Sequence, residues 1–84
     1  MVFLPFKVKV YSKEACCLCD KAKELLHKVA EDYPLEMEEI DITTDPKLWQ
    51  TYKESIPVIT LNGKIVFRGK VSELWLRREL EKIN

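Results

Sequence analysis

The stretch VYSKEACCLC, residues 10–19, is the segment from which the fold of this chain can be inferred. It places a C-x-x-C motif, formed by Cys16 and Cys19, where an alternating strand pattern changes to a helix pattern. The first turn of a helix has unpaired N–H groups and the positive end of the helix dipole, and both favour a thiolate. A thiolate with a second thiol three residues later is the minimum that thiol–disulfide exchange requires.

A helix is predicted to follow directly after the motif. From Cys16 to about Asp32 the apolar residues recur at helical spacing, and Pro34 ends the pattern. The apolar stripe consists of Cys19, Ala22, Leu26, Val29, Ala30 and Tyr33. Cys17 falls on the opposite, polar stripe. We therefore expect Cys16 at the N-cap or in the first turn, Cys19 shielded by the core, and Cys17 as a half-exposed bystander.

Two strands are predicted, one on each side of this helix. Residues 7–11 alternate polar and apolar side chains, as a half-buried strand does, and residues 12–15 are predicted to form a loop. Residues 35–42 have the composition of a second strand, but their apolar side chains do not keep to one face. We expect a bulge near residues 38–39, or a strand confined to the second half of this segment.

A short helix and a hairpin are predicted in the C-terminal half. Asp45-Pro46 is an N-cap followed by proline at the first helical position. The apolar side of this helix carries Leu48, Trp49 and Tyr52. Asn62-Gly63 lies between two β-branched runs within residues 57–67, and this pattern predicts a two-residue hairpin loop.

The last helix completes the predicted fold. Ser72 is a candidate cap, and Leu76, Leu80 and Ile83 then share one face of the helix. The element order βαβαββα combines a βαβ unit with a ββα unit. It predicts an α/β protein with a four-stranded mixed sheet and three helices, in a single domain that spans residues 1–84.

The composition argues against several classes of protein. The 14 Lys and Arg residues balance 14 Asp and Glu residues, so the charge indicates no nucleic acid and no membrane surface as a partner. Residues 1–6 are apolar but too short for a secretion signal or a membrane span. All three cysteines lie within four residues and cannot join distant parts of the chain, as a secreted disulfide scaffold would need. We therefore expect a cytoplasmic protein and, for so small a domain, a monomer.

The chain resembles small thioredoxin-fold proteins of the glutaredoxin-like kind. The likeness is carried by VYSKEACCLC (residues 10–19), AKELL (22–26), IDI (40–42) and SIPV (55–58), and it runs from about Lys7 to the last helix. It implies a thioredoxin-like fold with a cis peptide bond before Pro57, packed beside the cysteines. It also implies an enzyme of electron transport and cell redox homeostasis, a glutaredoxin- or thioredoxin-like thiol–disulfide oxidoreductase.

The candidate catalytic residues are Cys16 as the nucleophile and Cys19 as the resolving thiol. Cys16 is expected to attack a substrate disulfide, after which Cys19 attacks Cys16 and releases the reduced substrate. Pro57 has no N–H, which leaves the backbone of Ile56 free to pair with an extended substrate. Lys13 adds a positive charge near Cys16 that can steer an anionic thiol such as glutathione.

The electron donor is left open by the motif. Glutaredoxins that bind glutathione usually have Pro-Tyr between the cysteines, and thioredoxins usually have Gly-Pro there, but this chain has Cys17-Leu18. The Gly-Gly and nearby Asp of glutaredoxins are also missing, since residues 67–72 read FRGKVS. We expect protein disulfides or glutathione-mixed disulfides as substrates and either glutathione or a thioredoxin-reductase-type protein as donor. No tightly bound cofactor is expected, with glutathione as a candidate co-substrate.

Three alternatives stay open at this point. The thiols could belong to a metal or iron–sulfur binding module, although a closed zinc site needs four ligands and no fourth Cys or nearby His is evident, so we predict no metal ligand. The chain could be a redox-silent thioredoxin-fold interaction domain, which the presence of both motif cysteines disfavours. Cys19 could also be inert, leaving Cys16 to act alone with glutathione.

Overall fold

The computed structural model describes residues 5–83, except for the side chain of Ile83. Residues 1–4, which make up most of the apolar opening segment, and residue 84 lie outside the described part. The strands are β1 (Phe6–Ser12), β2 (Leu35–Asp41), β3 (Val58–Leu61) and β4 (Lys64–Arg68). The helices are α1 (Cys17–Val29), α2 (Pro46–Tyr52) and α3 (Glu73–Ile83), and a short 3-10 helix, Ile42–Thr44, follows β2. The predicted element order is confirmed.

The four strands form one mixed sheet in the order β2-β1-β3-β4. β1 is parallel to β2 and antiparallel to β3, and β3 is antiparallel to β4, so the sheet is mixed, as predicted. Tyr11 near the end of β1 pairs with Val58 at the start of β3. The loop that leads from β1 into α1 and the residues that precede β3 therefore lie at the same end of the sheet.

The predictions for β2 were wrong in one respect. The strand pairs with β1 without interruption, from Phe6 opposite Leu35 to Ser12 opposite Asp41, with no bulge and no unpaired first half. Its apolar residues change face because both faces of the sheet are covered. Met37 packs against the core on the side of α1 and α3, whereas Ile40 shares the other face with its neighbour Tyr11. On that face the ring of Tyr11 stacks on Tyr52 of α2 at 4.7 Å between centroids.

Two predicted boundaries also differ from the structure. Ser12, predicted as the first loop residue, is the last residue of β1 and is buried. Its hydroxyl is satisfied by Glu39 on the neighbouring strand, which allows a polar residue to end a buried strand. Helix α1 ends at Val29 rather than near Asp32, because the chain tightens into i→i+3 hydrogen bonds, such as Asp32 N–H to the Val29 carbonyl at 3.0 Å.

The main core lies between the sheet and the pair α1 and α3. It consists of Phe6, Val8, Val10, Ala22, Leu26, Val29, Ile59, Leu61, Leu76 and Leu80. The helical stripe predicted for α1 supplies Ala22, Leu26 and Val29, and the predicted face of α3 supplies Leu76 and Leu80. The buried side chains therefore hold the start of α1 against the end of β1.

The predicted turns and caps are also found. Asn62 and Gly63 have positive φ values of 51° and 88°, as a hairpin loop of the I′ type requires. The Asp45 side chain caps α2 by accepting the Lys47 N–H at 2.8 Å. The Ser72 carbonyl accepts the Leu76 N–H at 3.0 Å, which places Ser72 at the start of α3. Within residues 5–83 the helices are too short or too polar to cross a membrane.

Candidate active site

Cys16 is the N-cap of α1. Its backbone is extended, with φ −112° and ψ 106°, and its carbonyl accepts the first helical hydrogen bond, from the Asp20 N–H at 3.0 Å. Its Sγ accepts the Cys19 N–H at 3.3 Å, so the sulfur occupies the position of a capping oxygen. Ala15 has φ 56°, a left-handed conformation that is strained for a residue with a Cβ. The left-handed conformation of Ala15 turns the chain so that the Cys16 sulfur lies over the free N–H groups of α1.

The three cysteines differ in exposure, and Cys19 is the buried one, as the helical pattern predicts, whereas Cys17, predicted to be half-exposed, is exposed. Cys16 is half-buried, Cys17 is exposed and Cys19 has no exposed surface. All three are free thiols. The arrangement presents one sulfur at the helix mouth and keeps a second directly behind it, on the side of the core.

Burial is the main reason why the pKa of Cys19 is raised, to about 11. The second reason is a hydrogen bond from the Cys19 thiol to Cys16, which favours the protonated form of Cys19. Two groups act in the opposite direction. They are the backbone N–H of Lys13, which is hydrogen-bonded to the Cys19 sulfur, and the positive charge of Lys23. Cys19 is therefore a protonated thiol at neutral pH.

Ile56 and Pro57 lie at the end of the sheet where the cysteines are found. Pro57 is buried, and the peptide bond before it is cis, as the family resemblance implied. The Pro57 carbonyl accepts the Gly69 N–H at 2.8 Å, which ties this segment to the chain after β4. Ile56 is half-buried and precedes β3, which begins at Val58.

Lys13 lies in the exposed loop between β1 and α1. Its Nζ is 5.8 Å from the centroid of the Trp49 ring, a cation–π distance that holds the side chain against α2. Its backbone N–H contacts the Cys19 sulfur. The sequence suggested only the charge of this residue, whereas the structure adds the contact with Trp49 and the contact with Cys19.

Sequence reasoning missed a polar cluster made of Ser12, Lys23 and Glu39. The Lys23 Nζ lies 3.0 Å from Glu39 Oε1, and the Ser12 Oγ donates to the same oxygen at 3.3 Å. One signal was present: the loss of alternation in β2 occurs at Glu39, which lies on the helix side of the sheet. The sequence alone did not connect that position with Ser12 or Lys23, which are far from it along the chain.

Among the described residues, the cysteines are not grouped with other metal-ligating side chains. Within residues 5–83, no three Cys, His, Asp or Glu side chains are placed so that they could hold one ion.

The comparisons with known proteins agree on the fold. Residues 7–81 match the profile of the glutaredoxin-like domain family (DUF836). A curated glutaredoxin-like protein from Dictyostelium discoideum is 31% identical over 87 residues, which cover 96% of this chain and 81% of that protein. The solution structure of protein Ne2328 from Nitrosomonas europaea has a TM-score of 0.82 at 22% identity, covering 94% of this chain and 95% of that one. A thioredoxin variant from Halobacterium salinarum has a TM-score of 0.66 at 20% identity, covering 92% and 73% respectively.

Proposed function

Because the chain belongs to the glutaredoxin-like domain family and has the thioredoxin fold, we propose that it is a thiol–disulfide oxidoreductase. Its substrates are protein disulfides or glutathione-mixed disulfides, and its reacting groups are Cys16 and Cys19. The observation that carries this proposal is the N-cap position of the Cys16 sulfur, with the Cys19 thiol buried directly behind it.

The reaction has two exchange steps. The Cys16 thiolate attacks one sulfur of the substrate disulfide, forming a mixed disulfide, and the other half of the substrate leaves as a thiolate. Cys19 then loses its proton and attacks the Cys16 sulfur. The Cys16–Cys19 disulfide forms, the bond between Cys16 and the substrate breaks, and the second half leaves as a thiolate. A donor of two electrons restores the dithiol.

Three residues at the same end of the sheet as Cys16 support a substrate site. Leu18 is 49% exposed next to the cysteines and offers an apolar contact. Ile56, just outside β3, has a backbone that can pair with an extended segment of a substrate protein. The Lys13 ammonium, held against Trp49, can attract an anionic thiol such as glutathione. Either glutathione or a thioredoxin-reductase-type protein serves as donor, and the clustering of all three cysteines within four residues favours the reducing cytoplasm over a secreted disulfide scaffold.

The first test is the redox couple itself. We expect Cys16 and Cys19 to interconvert between dithiol and disulfide at a potential between about −270 and −200 mV, the interval between thioredoxins and glutaredoxins. The measurement is equilibration in buffers of defined potential, followed by alkylation and mass determination. A Cys17→Ser variant serves as the matched control and should show the same couple, because Cys17 is exposed and lies outside the exchange. A chain that forms no Cys16–Cys19 disulfide at any of these potentials contradicts the dithiol mechanism.

A second test separates the two cysteines. In a Cys19→Ser variant the first exchange should proceed and then stop, because the only thiol placed behind the Cys16 sulfur is lost. We expect the mixed disulfide on Cys16 to accumulate to about one equivalent, whereas the parent protein releases it, as resolution by a second thiol requires. Intact-mass measurement after addition of oxidised glutathione checks this. Full turnover by Cys19→Ser with glutathione as donor would mean instead that Cys16 acts alone.

A further inference from the structure

A polar cluster lies beside the buried thiol, on three different elements of the fold. Lys23 on α1 is its centre: its Nζ is 3.0 Å from Glu39 Oε1 and 3.8 Å from Asp20 Oδ1. Glu39 on β2 also accepts the hydroxyl of Ser12, which is 1% exposed at the end of β1. The Lys23 side chain is only 28% exposed. The ammonium is therefore tethered close to the protein surface rather than free in water.

This cluster is adjacent to Cys19. Lys23 follows Cys19 by one helical turn, so the two side chains are neighbours on α1. Ser12 is bonded to Lys13, whose N–H contacts the Cys19 sulfur. Interaction with Glu39, mainly a hydrogen bond, raises the pKa of Lys23 above its ordinary value, so its positive charge is retained at neutral pH. The charge next to Cys19 is thus permanent under working conditions.

The resolving step needs a positive charge near the Cys19 sulfur, because a thiolate forms there. With a pKa of about 11, only about one Cys19 thiol in ten thousand is ionised at pH 7. The proton has to leave before the sulfur can attack, and the negative charge then forms in a site that burial makes unfavourable. A nearby ammonium offsets part of this cost.

We propose that Lys23, anchored by Glu39 and Ser12, is a positioning residue for the resolving step, where its ammonium stabilises the thiolate that forms on Cys19. This inference rests on the proposed function. In the step, the Cys19 proton passes to water, the Cys16–Cys19 bond forms, and the substrate leaves from Cys16 as a thiolate that takes up a proton. The cluster borders an open cleft of about 350 Å³, and Ser12, Lys23 and Glu39 are among its lining residues.

Other charged groups face the same cleft. They are Lys13, Glu14, Asp20 and Asp41. The Lys13 side chain lies over Trp49, and Asp20 is 70% exposed. Of the charged side chains in this cleft, Lys23 is the one whose charge lowers the pKa of Cys19. The two exchange steps should therefore respond differently to its removal.

The test is a single-turnover reaction with dithiobis(nitrobenzoic acid), in a Cys17→Ser background so that the exposed thiol does not contribute. The first release of nitrothiobenzoate reports attack by Cys16, and the second reports attack by Cys19. In Lys23→Met we expect the second phase to slow by about three- to tenfold at neutral pH, since a higher thiol pKa lowers the thiolate fraction more than it raises its nucleophilicity. Its pH profile should move to higher pH, whereas the first phase should be unchanged.

Two variants complete the test. Lys23→Arg keeps the charge and should restore most of the second phase. Lys28→Met is the matched control, because Lys28 is 66% exposed and pairs with Glu73 on α3, away from the cysteines. If the rate of the second phase is unchanged in Lys23→Met, or if both phases slow equally, the proposed role of Lys23 is contradicted, while the oxidoreductase function is not. If the Cys17→Ser protein, with Lys23 intact, shows no first phase, Cys16 does not attack the disulfide. The proposed oxidoreductase function is then contradicted as well.

Discussion

Replacing Cys16 with serine is expected to abolish disulfide reduction. The reaction begins with a thiolate at the mouth of α1, and a serine hydroxyl does not ionise there at neutral pH and forms no disulfide. Serine is one of the best N-cap residues, and its oxygen can accept the Cys19 N–H that the Cys16 sulfur now accepts. The helix should therefore remain intact, so that the loss is chemical rather than structural.

The measurement is the rate of reduction of a protein disulfide and of a glutathione-mixed disulfide, with circular dichroism to verify folding. We expect the rate of the Cys16→Ser variant to equal the rate without protein. Cys17→Ser is the matched control, since it changes an adjacent cysteine that is exposed and should keep nearly full activity. Activity that survives Cys16→Ser and disappears only with Cys17→Ser would identify Cys17, and not Cys16, as the nucleophile.

Replacing Leu26 with alanine is expected to cause a large loss of stability. Leu26 has no exposed surface and belongs to the core between α1 and the sheet. Truncation of a fully buried leucine removes apolar contacts and leaves a cavity, which lowers the free energy of unfolding by about 2 to 5 kcal/mol. For a small domain the whole free energy of unfolding is only about 5 to 15 kcal/mol, so much of the stability depends on this side chain.

Urea unfolding followed by circular dichroism measures this effect as a lower transition midpoint at an unchanged slope. Leu74→Ala is the matched control: Leu74 lies on α3 and is 60% exposed, so its truncation should change the free energy of unfolding by no more than about 0.5 kcal/mol. Equal effects of the two substitutions would contradict the packing of α1 described above.

Short-range patterns predicted most of the fold. The hairpin at Asn62-Gly63 and the N-cap at Asp45 depend on residues that are adjacent in the chain, and both are found. The helical spacing of Cys19 and Leu26 also predicted which thiol would be buried, because a stripe of constant period has to face the core. The place of Cys16 at the N-cap followed from the change of period at the motif.

The errors in β2 and at Ser12 have one physical origin. In β2, the face to which each residue points is set by the register with β1 and by the helices that cover the sheet, and neither is encoded in the strand's own alternation. A buried Ser12 is not expected from the sequence, because a hydroxyl is costly to bury without a partner, and the partner that satisfies it, Glu39, is 27 residues away along the chain.

The sequence by itself determined the element order, the family resemblance and the dithiol at the start of a helix, because these depend on local spacing, capping and turn chemistry. The tertiary structure decided what surrounds the dithiol. Packing of α1 against β1 and β2 brought Lys23 to Glu39 and placed the Lys13 N–H on the Cys19 sulfur. Such contacts depend on strand register and on which faces are covered, and the free energy that selects them comes from burial of the whole core.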